Sequence, residues 1–343
     1  MEEALAALLA TALWPVLAGV IVVCLIALAK GADWLVREAV TLSGRSGIPK
    51  VVIGATIVSI GTTTPEAVVS VLAAVSGRPG LALGNAVGSI IADTGLILGL
   101  ACLIAPLPLE RRIVNRQGWI QFACGVVLVL ASLPFGNLGQ TFVQGGQLPR
   151  IAGILFLLGL FVYLFVSVRW AREGGTTVED VLAETPEPEH SALPVVLLKL
   201  LAAIVVVVAS SWVLIPAVAE AATRLRVPES IIAATMVAFG TSLPELVTAV
   251  TAARHGHGEL GVGNIIGADI LNVLFVAGAS AAVTPGGLHC PPHFFSLYFP
   301  SMLLVLGVFR LGVFTSGSHL RRPFGVVLLA TYVTVTVLSY AIT

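Results

Sequence analysis

Apolar runs, each about as long as a bilayer crossing, follow one another along almost the whole chain. A spanning helix needs roughly 20 apolar residues. Ten stretches meet that length, at about 11–30, 50–75, 80–105, 118–134, 150–170, 193–218, 228–253, 259–284, 294–313 and 322–342. The runs are continuous, whereas a membrane barrel shows short alternating segments, so helices are the expected spanning element. From Lys30 to Arg45 the first run continues as a mildly amphipathic stretch, with Lys30 and Asp33 expected as an interfacial pair near a helix end. The most polar connection is 172–192, which carries Glu173, Glu179, Asp180, Glu184, Glu187, Glu189 and two prolines. It predicts a solvated linker between a first half, 1–171, and a second half, 193–343, of five spans each. Five is odd, so the second half enters the membrane upside down relative to the first, the inverted-repeat plan of secondary transporters.

Composition sharpens this. The 343 residues are 57% hydrophobic and only 10% charged, against about 25% charged in a soluble globule. The expected fold is therefore an all-α membrane protein with ten transmembrane helices. Zero net charge argues against a nucleic-acid partner. Cys24, Cys102, Cys124 and Cys290 lie in or beside apolar runs without metal-ligand spacing and read as small buried hydrophobes. Glu2 and Glu3, not a basic segment, lead the first run, so no cleaved signal peptide is expected. With ten alternating spans, fourteen of the 18 Lys and Arg fall on one side. That bias predicts a cytoplasmic linker and both termini outside.

The repeat is visible directly. A shift of 179 residues aligns 54–93 with 233–272 without a gap, and 17 of the 40 positions are identical. Matches include Thr56/Thr235, Gly61/Gly240, Thr62/Thr241, Pro65/Pro244, Glu66/Glu245, Gly84/Gly263, Asn85/Asn264 and Gly88/Gly267. Each copy (blocks of about 51–105 and 230–284) covers the second and third spans of its half. As a helix, the first copy puts Ser59, Thr62, Thr63 and Glu66 on one face. Pro65 cannot donate to the Gly61 carbonyl, which becomes available as a ligand in a broken helix. The next span adds Asn85, Ser89 and Asp93 at four-residue intervals. The second half offers Ala238, Thr241, Ser242 and Glu245, then Asn264, Ala268 and Asn272. Hydroxyls, carbonyls and carboxylates suit hard cations, and Ca²⁺ takes 6–8 such oxygens. Intramembrane carboxylates are costly and functional by default, and two brought together without a cation repel.

The paired G-[TS]-[TS]-x-P-E blocks, each followed by G-N-x-x-G-[SA]-x-[IL]-x-[DN], resemble the two alpha repeats of the calcium/cation antiporter superfamily, in its prokaryotic sodium/calcium exchanger branch. The resemblance implies Ca²⁺ between Glu66 and Glu245 with help from Thr62 and Thr241. It also implies flanking Na⁺ sites drawing on Thr63, Ser242, Ser89 and the backbone near Ser59 and Ala238. Asp93 and Asn272 would sit at the centre, one ionisable and one not. Ala268 stands where the family's serine would help ligate Na⁺.

The expectation is thus an antiporter exchanging Ca²⁺ for Na⁺ by alternating access, with the ions as cargo, the bilayer as its surroundings, and no cofactor or enzymatic activity. Other readings stay open. H⁺ could replace Na⁺, given Ala268 and Asp93. A passive cation channel would also use a polar path, and an intramembrane hydrolase would pair Glu66 with Asp93, although no nucleophile elbow or H-E-x-x-H pair is present. The hydroxyls could merely bond within their own helices, Asn85 and Asn264 could brace helices, and Asp269 reads as interfacial structure or as a ligand. His255, His257, His289 and His293 read as surface residues of connections.

Overall fold

A computed structural model describes residues 8–173, 192–225 and 241–342. Among them, nine helices are long and apolar enough to cross a membrane. In chain order the helices are α1 (Trp14–Ser46), α2 (Lys50–Val75), α3 (Pro79–Ile104), α4 (Arg111–Ser132) and α5 (Arg150–Glu173). The second half supplies α6 (Leu193–Arg224), α7 (Leu243–Arg254), α8 (Gly258–Val283), α9 (Phe294–Thr315) and α10 (Arg322–Ile342). The run expected at 228–253 is described only from Thr241 onward, as α7, and most of the 172–192 linker lies outside the described residues. The protein is an integral, multi-pass, all-α membrane protein. Large apolar side chains such as Leu155, Leu158, Phe161 and Phe165 stay exposed along one side of α5, as a lipid-facing helix requires.

Two expectations at helix ends change. The fourth span starts at Arg111 rather than 118, because the Arg-rich turn continues the helix instead of preceding it. Lys30 and Asp33 are not near a helix end, since α1 runs on to Ser46. Asp33 instead lies 3.4 Å from His255, which is a surface residue of its connection as expected.

The packing follows a pseudo-two-fold exchange between the halves. First helix packs on first helix (α1 on α6), fourth on fourth (α4 on α9), fifth on third (α5 on α8) and third on fifth (α3 on α10). The last two contacts use the same device. A Cβ on Gly153 of α5 would stand 2.6 Å from the Gly278 carbonyl of α8, and one on Gly325 of α10 would stand 2.9 Å from the Gly99 carbonyl of α3. Gly99 and Gly278 are repeat-related by the 179-residue shift. Small residues let membrane helices approach closely enough for backbone packing to replace the missing hydrophobic drive.

Short antiparallel ribbons tie the loops in the same exchanged way. Leu107–Pro108 (β1) pairs with His319–Leu320 (β4), and Gly146–Leu148 (β2) pairs with Leu288–Cys290 (β3). The first joins the loop after the third span of one half to the loop after the fourth span of the other. The second does the reverse. By span parity the two ribbons lie on opposite faces of the membrane. At the centre, α2 and α8 cross with backbones in contact, and the apolar core wraps around that crossing.

Candidate cation site

Helix α2 begins as Lys50–Ile53, widens into a π turn at Gly54–Val58 and resumes as Ser59–Val75. It runs through Pro65 without interruption, so the expected break at the proline is absent and the irregularity is a wide turn that ends at Val58, about two turns earlier. Tyr163 of α5 donates to the Ala55 carbonyl inside that turn at 2.9 Å, satisfying a backbone group of the irregular turn. Helices α3 and α8 carry matching π turns at Ala92–Ile97 and Asn272–Ala277. Such turns cluster at functional sites because they re-aim side chains without ending the helix. Asp93 lies in the first and Asn272 opens the second.

The predicted face is assembled and buried. Ser59, Thr62, Thr63, Glu66, Ser89, Asp93, Ser242, Glu245 and Asn272 are all buried, and Thr241 is half-buried. The two repeats interlock through exchanged bonds. Thr62 donates to Asn264 Oδ1 at 3.5 Å, and its repeat mate Thr241 donates to Asn85 Oδ1 at 3.2 Å. Asn85 in turn donates to Ser70 Oγ at 2.9 Å and to the Glu66 carbonyl at 3.4 Å. Thr63 donates to Glu245 Oε1 at 3.2 Å, a direct bond from the first half to the carboxylate of the second. Glu66, Glu245 and Asp93 lie within electrostatic reach of one another. Ser59 and Thr62 also bond within their own helix, to the Thr56 and Ser59 carbonyls. The asparagines therefore brace the helices, as one reading of the sequence allowed.

Several oxygens at this centre have no hydrogen-bond partner in the protein: Glu66 Oε2, Glu245 Oε2, Asp93 Oδ1 and Asn272 Oδ1. Leaving a buried carboxylate oxygen unpaired is expensive. A bound cation removes that cost, and the donor set is all oxygen, as hard cations require. Among the described residues, no three His, Cys, Asp or Glu side chains form a metal cluster. The arrangement is instead two glutamates with Asp93 beside them, flanked by hydroxyl and amide oxygens.

Beside this centre, Asp269 of α8 is buried and accepts 2.5 Å bonds on Oδ2 from Thr94 of α3 and Gln121 of α4. Gln121 also bonds Thr94, at 3.3 Å. Asp269 lies within electrostatic reach of Asp93.

A family model described as "Sodium/calcium exchanger protein" matches residues 16–169 and 195–341. The chain belongs to that family. Among curated relatives of this exchanger-family chain, the Escherichia coli inner membrane protein YrbG is 35% identical over 326 residues, 94% of each chain. The sodium/calcium exchanger MaX1 of Methanosarcina acetivorans is 28% identical over 343 residues, covering 93% of this chain and 97% of its own. A solved structure of the sodium-calcium exchanger NCX_Mj matches with a TM-score of 0.72 at 26% identity, over 93% of this chain and 96% of that one.

Sequence reasoning passed over Thr94 and Gln121. Gln121 had a signal, an amide in the run 118–134 that is otherwise largely apolar. Thr94 had none, since a threonine in a span commonly bonds its own backbone.

Proposed function

We propose that this exchanger-family chain is a secondary antiporter that moves Ca²⁺ against Na⁺ by alternating access, with both ions as substrates and no resident cofactor. One observation carries the reading: two repeat-related glutamates, buried and interlocked across the halves, each with an unpartnered carboxylate oxygen. Two carboxylates are neutralised by one Ca²⁺ or by two monovalent cations. Either load makes the site stable in a low-dielectric interior, and the empty, charged site resists reorientation, which couples the two fluxes. The names of MaX1 and NCX_Mj as sodium/calcium exchangers support the choice of ions. Thr62, Thr63, Thr241, Ser242, Ser59, Ser89, Asp93 and Asn272 complete the oxygen shell around Glu66 and Glu245. The carrier works as a transporter rather than an enzyme, with the linker cytoplasmic and both termini outside.

The expected result in proteoliposomes is Na⁺-gradient-driven ⁴⁵Ca²⁺ uptake that Glu66→Gln or Glu245→Gln reduces to the level of protein-free vesicles. Uptake that persists in both variants would reject the assignment. A second reading keeps the carrier but couples it to H⁺. It is favoured by Ala268, where the first repeat has Ser89, and by ionisable Asp93. A pH gradient that drives Ca²⁺ uptake without Na⁺ would select it.

A further inference from the structure

We propose that Tyr163 of α5 is a positioning residue of the cation site, which sets the donors of the first half by holding the π turn of α2. This role rests on the exchange reading above and deepens it, since it names what fixes the geometry in which the ions are bound. Between Ile151 and Val168, Tyr163 and Ser167 are the only side chains able to form hydrogen bonds. The other aromatic positions of that stretch, Phe156, Phe161 and Phe165, carry no hydroxyl. A phenol inside a membrane span needs a partner for its O–H. Ala152, Phe156, Tyr163 and Ser167 recur at helical spacing as the buried face of α5, whereas Phe161 and Phe165 are exposed.

Through that face α5 touches two of the irregular turns that flank the site. Towards α8, a Cβ on Gly159 would stand 3.6 Å from Leu274, inside the π turn Asn272–Ala277, and one on Gly278 just after that turn would stand 3.0 Å from Phe156. Towards α2, Tyr163 donates to the Ala55 carbonyl at 2.9 Å, inside the π turn Gly54–Val58. The phenol is itself held. Ser167, one turn along α5, hydrogen-bonds the Tyr163 hydroxyl, and Ser167 Oγ accepts from Gln117 Nε2 of α4 at 3.1 Å. All three side chains are buried. The chain Gln117–Ser167–Tyr163 therefore fixes one backbone carbonyl of α2 from two other helices.

That carbonyl sits where it controls the site. A Cβ on Gly267 of α8 would collide with the Ala55 carbonyl oxygen and would stand 2.6 Å from Ser59 Oγ, so both groups lie in the α2–α8 crossing. Ser59 opens the regular helix after the turn, and Thr62, Thr63 and Glu66 follow on its face. A π turn accommodates one residue more than an α turn, so it sets the rotation of the helix beyond it. The Tyr163 hydroxyl supplies the Ala55 carbonyl with a donor from outside the helix and thereby favours the wide form. Without that donor the turn tightens towards the α form. Thr62, Thr63 and Glu66 then rotate about the axis of α2, away from Asn264 and Glu245, to which Thr62 and Thr63 are bonded.

Tyr163→Phe removes the hydroxyl and keeps the ring. Na⁺-driven ⁴⁵Ca²⁺ uptake into proteoliposomes is measured over a range of Ca²⁺ concentrations. The half-saturating Ca²⁺ is expected to rise about three- to tenfold, the loss of one hydrogen bond, while the maximal rate stays within about twofold. Phe156→Leu is the control, since it loosens the same face of α5 and leaves the hydrogen bond in place. It is expected to lower the melting temperature in detergent without moving the half-saturating Ca²⁺. An unchanged half-saturating concentration in Tyr163→Phe, or an equal rise in Phe156→Leu, overturns the positioning role. Hydrogen–deuterium exchange of the purified proteins, without Ca²⁺, gives a readout that needs no transport. Tyr163→Phe is expected to speed exchange in the segment 54–60 and to leave α10 unchanged, and equal exchange in 54–60 overturns the proposal. If wild-type protein shows no Na⁺-driven Ca²⁺ uptake, the exchange reading fails, and the deuterium measurement still decides whether Tyr163 holds the turn.

Discussion

At the scale of single residues, the site is a set of exchanged bonds with one missing member. Asn85 has its amide nitrogen satisfied by Ser70. The repeat mate of Ser70 is Ala249, and the amide nitrogen of Asn264 is buried without a partner. Ala249→Ser restores the missing acceptor and is expected to raise stability by about 0.5–1 kcal/mol. Thermal unfolding in detergent checks it: a melting temperature at or below that of the wild type would reject the symmetric reading of the two asparagines. The same residues show what was legible beforehand. Glu66, Glu245, Thr62, Thr241 and the two asparagines stood out because duplication marks them twice in one sequence. Asp269, Thr94 and Gln121 carry no duplicate, and their convergence depends on how α3, α4 and α8 pack, which periodicity does not encode.

Among the elements, the crossing of α2 and α8 decides whether the site exists. A Cβ on Gly263 would stand 2.1 Å from the Val51 carbonyl oxygen, and one on Gly267 would stand 2.4 Å from that of Ala55. Neither neighbour is a flexible side-chain end, so the helices themselves would have to part. Gly263→Ala is expected to cost about 3 kcal/mol, the upper end of overpacking penalties, and to abolish Ca²⁺ flux by separating Glu66 from Glu245. Gly307→Ala, whose new methyl would meet only Phe122 at 4.0 Å, serves as the control. Chemical denaturation of both variants in detergent checks this, and equal midpoints would refute it. Span positions were readable because about 20 apolar residues are required for each. The π turns were not, since the i→i+5 bonding follows from contacts such as Tyr163 with Ala55 and needs no marker residue. Pro65 drew attention as a breaker, yet the surrounding helix absorbs it.

The whole molecule is two halves inverted about a common axis, and the loop ribbons make that inversion testable for orientation. Ribbon β1–β4 follows the third and ninth spans, so it shares a face with the 172–192 linker, which follows the fifth. Ribbon β2–β3 follows the fourth and eighth spans and must lie on the other face. On the proposed orientation the first face is cytoplasmic, and Arg111, Arg112, Arg321 and Arg322 flank β1–β4 there, as the positive-inside rule expects. The other ribbon has only Arg150 close by. His319 and Gln147 are exposed on the two ribbons, and each can be replaced by cysteine in a protein with its four native cysteines removed. A membrane-impermeant maleimide added to intact cells with a permeable outer layer should label Gln147→Cys and spare His319→Cys. Inverted vesicles should give the opposite pattern. Labelling of both positions from one side would contradict the inversion itself, because the fold allows them to meet the same solution only if one half has the wrong number of spans. A clean reversal of the two patterns would keep the inverted halves and turn the molecule over, placing the acidic linker outside. The exchanged hydrogen bonds at the glutamates would survive that reversal, since they depend on the relation between the halves and not on which way the pair faces.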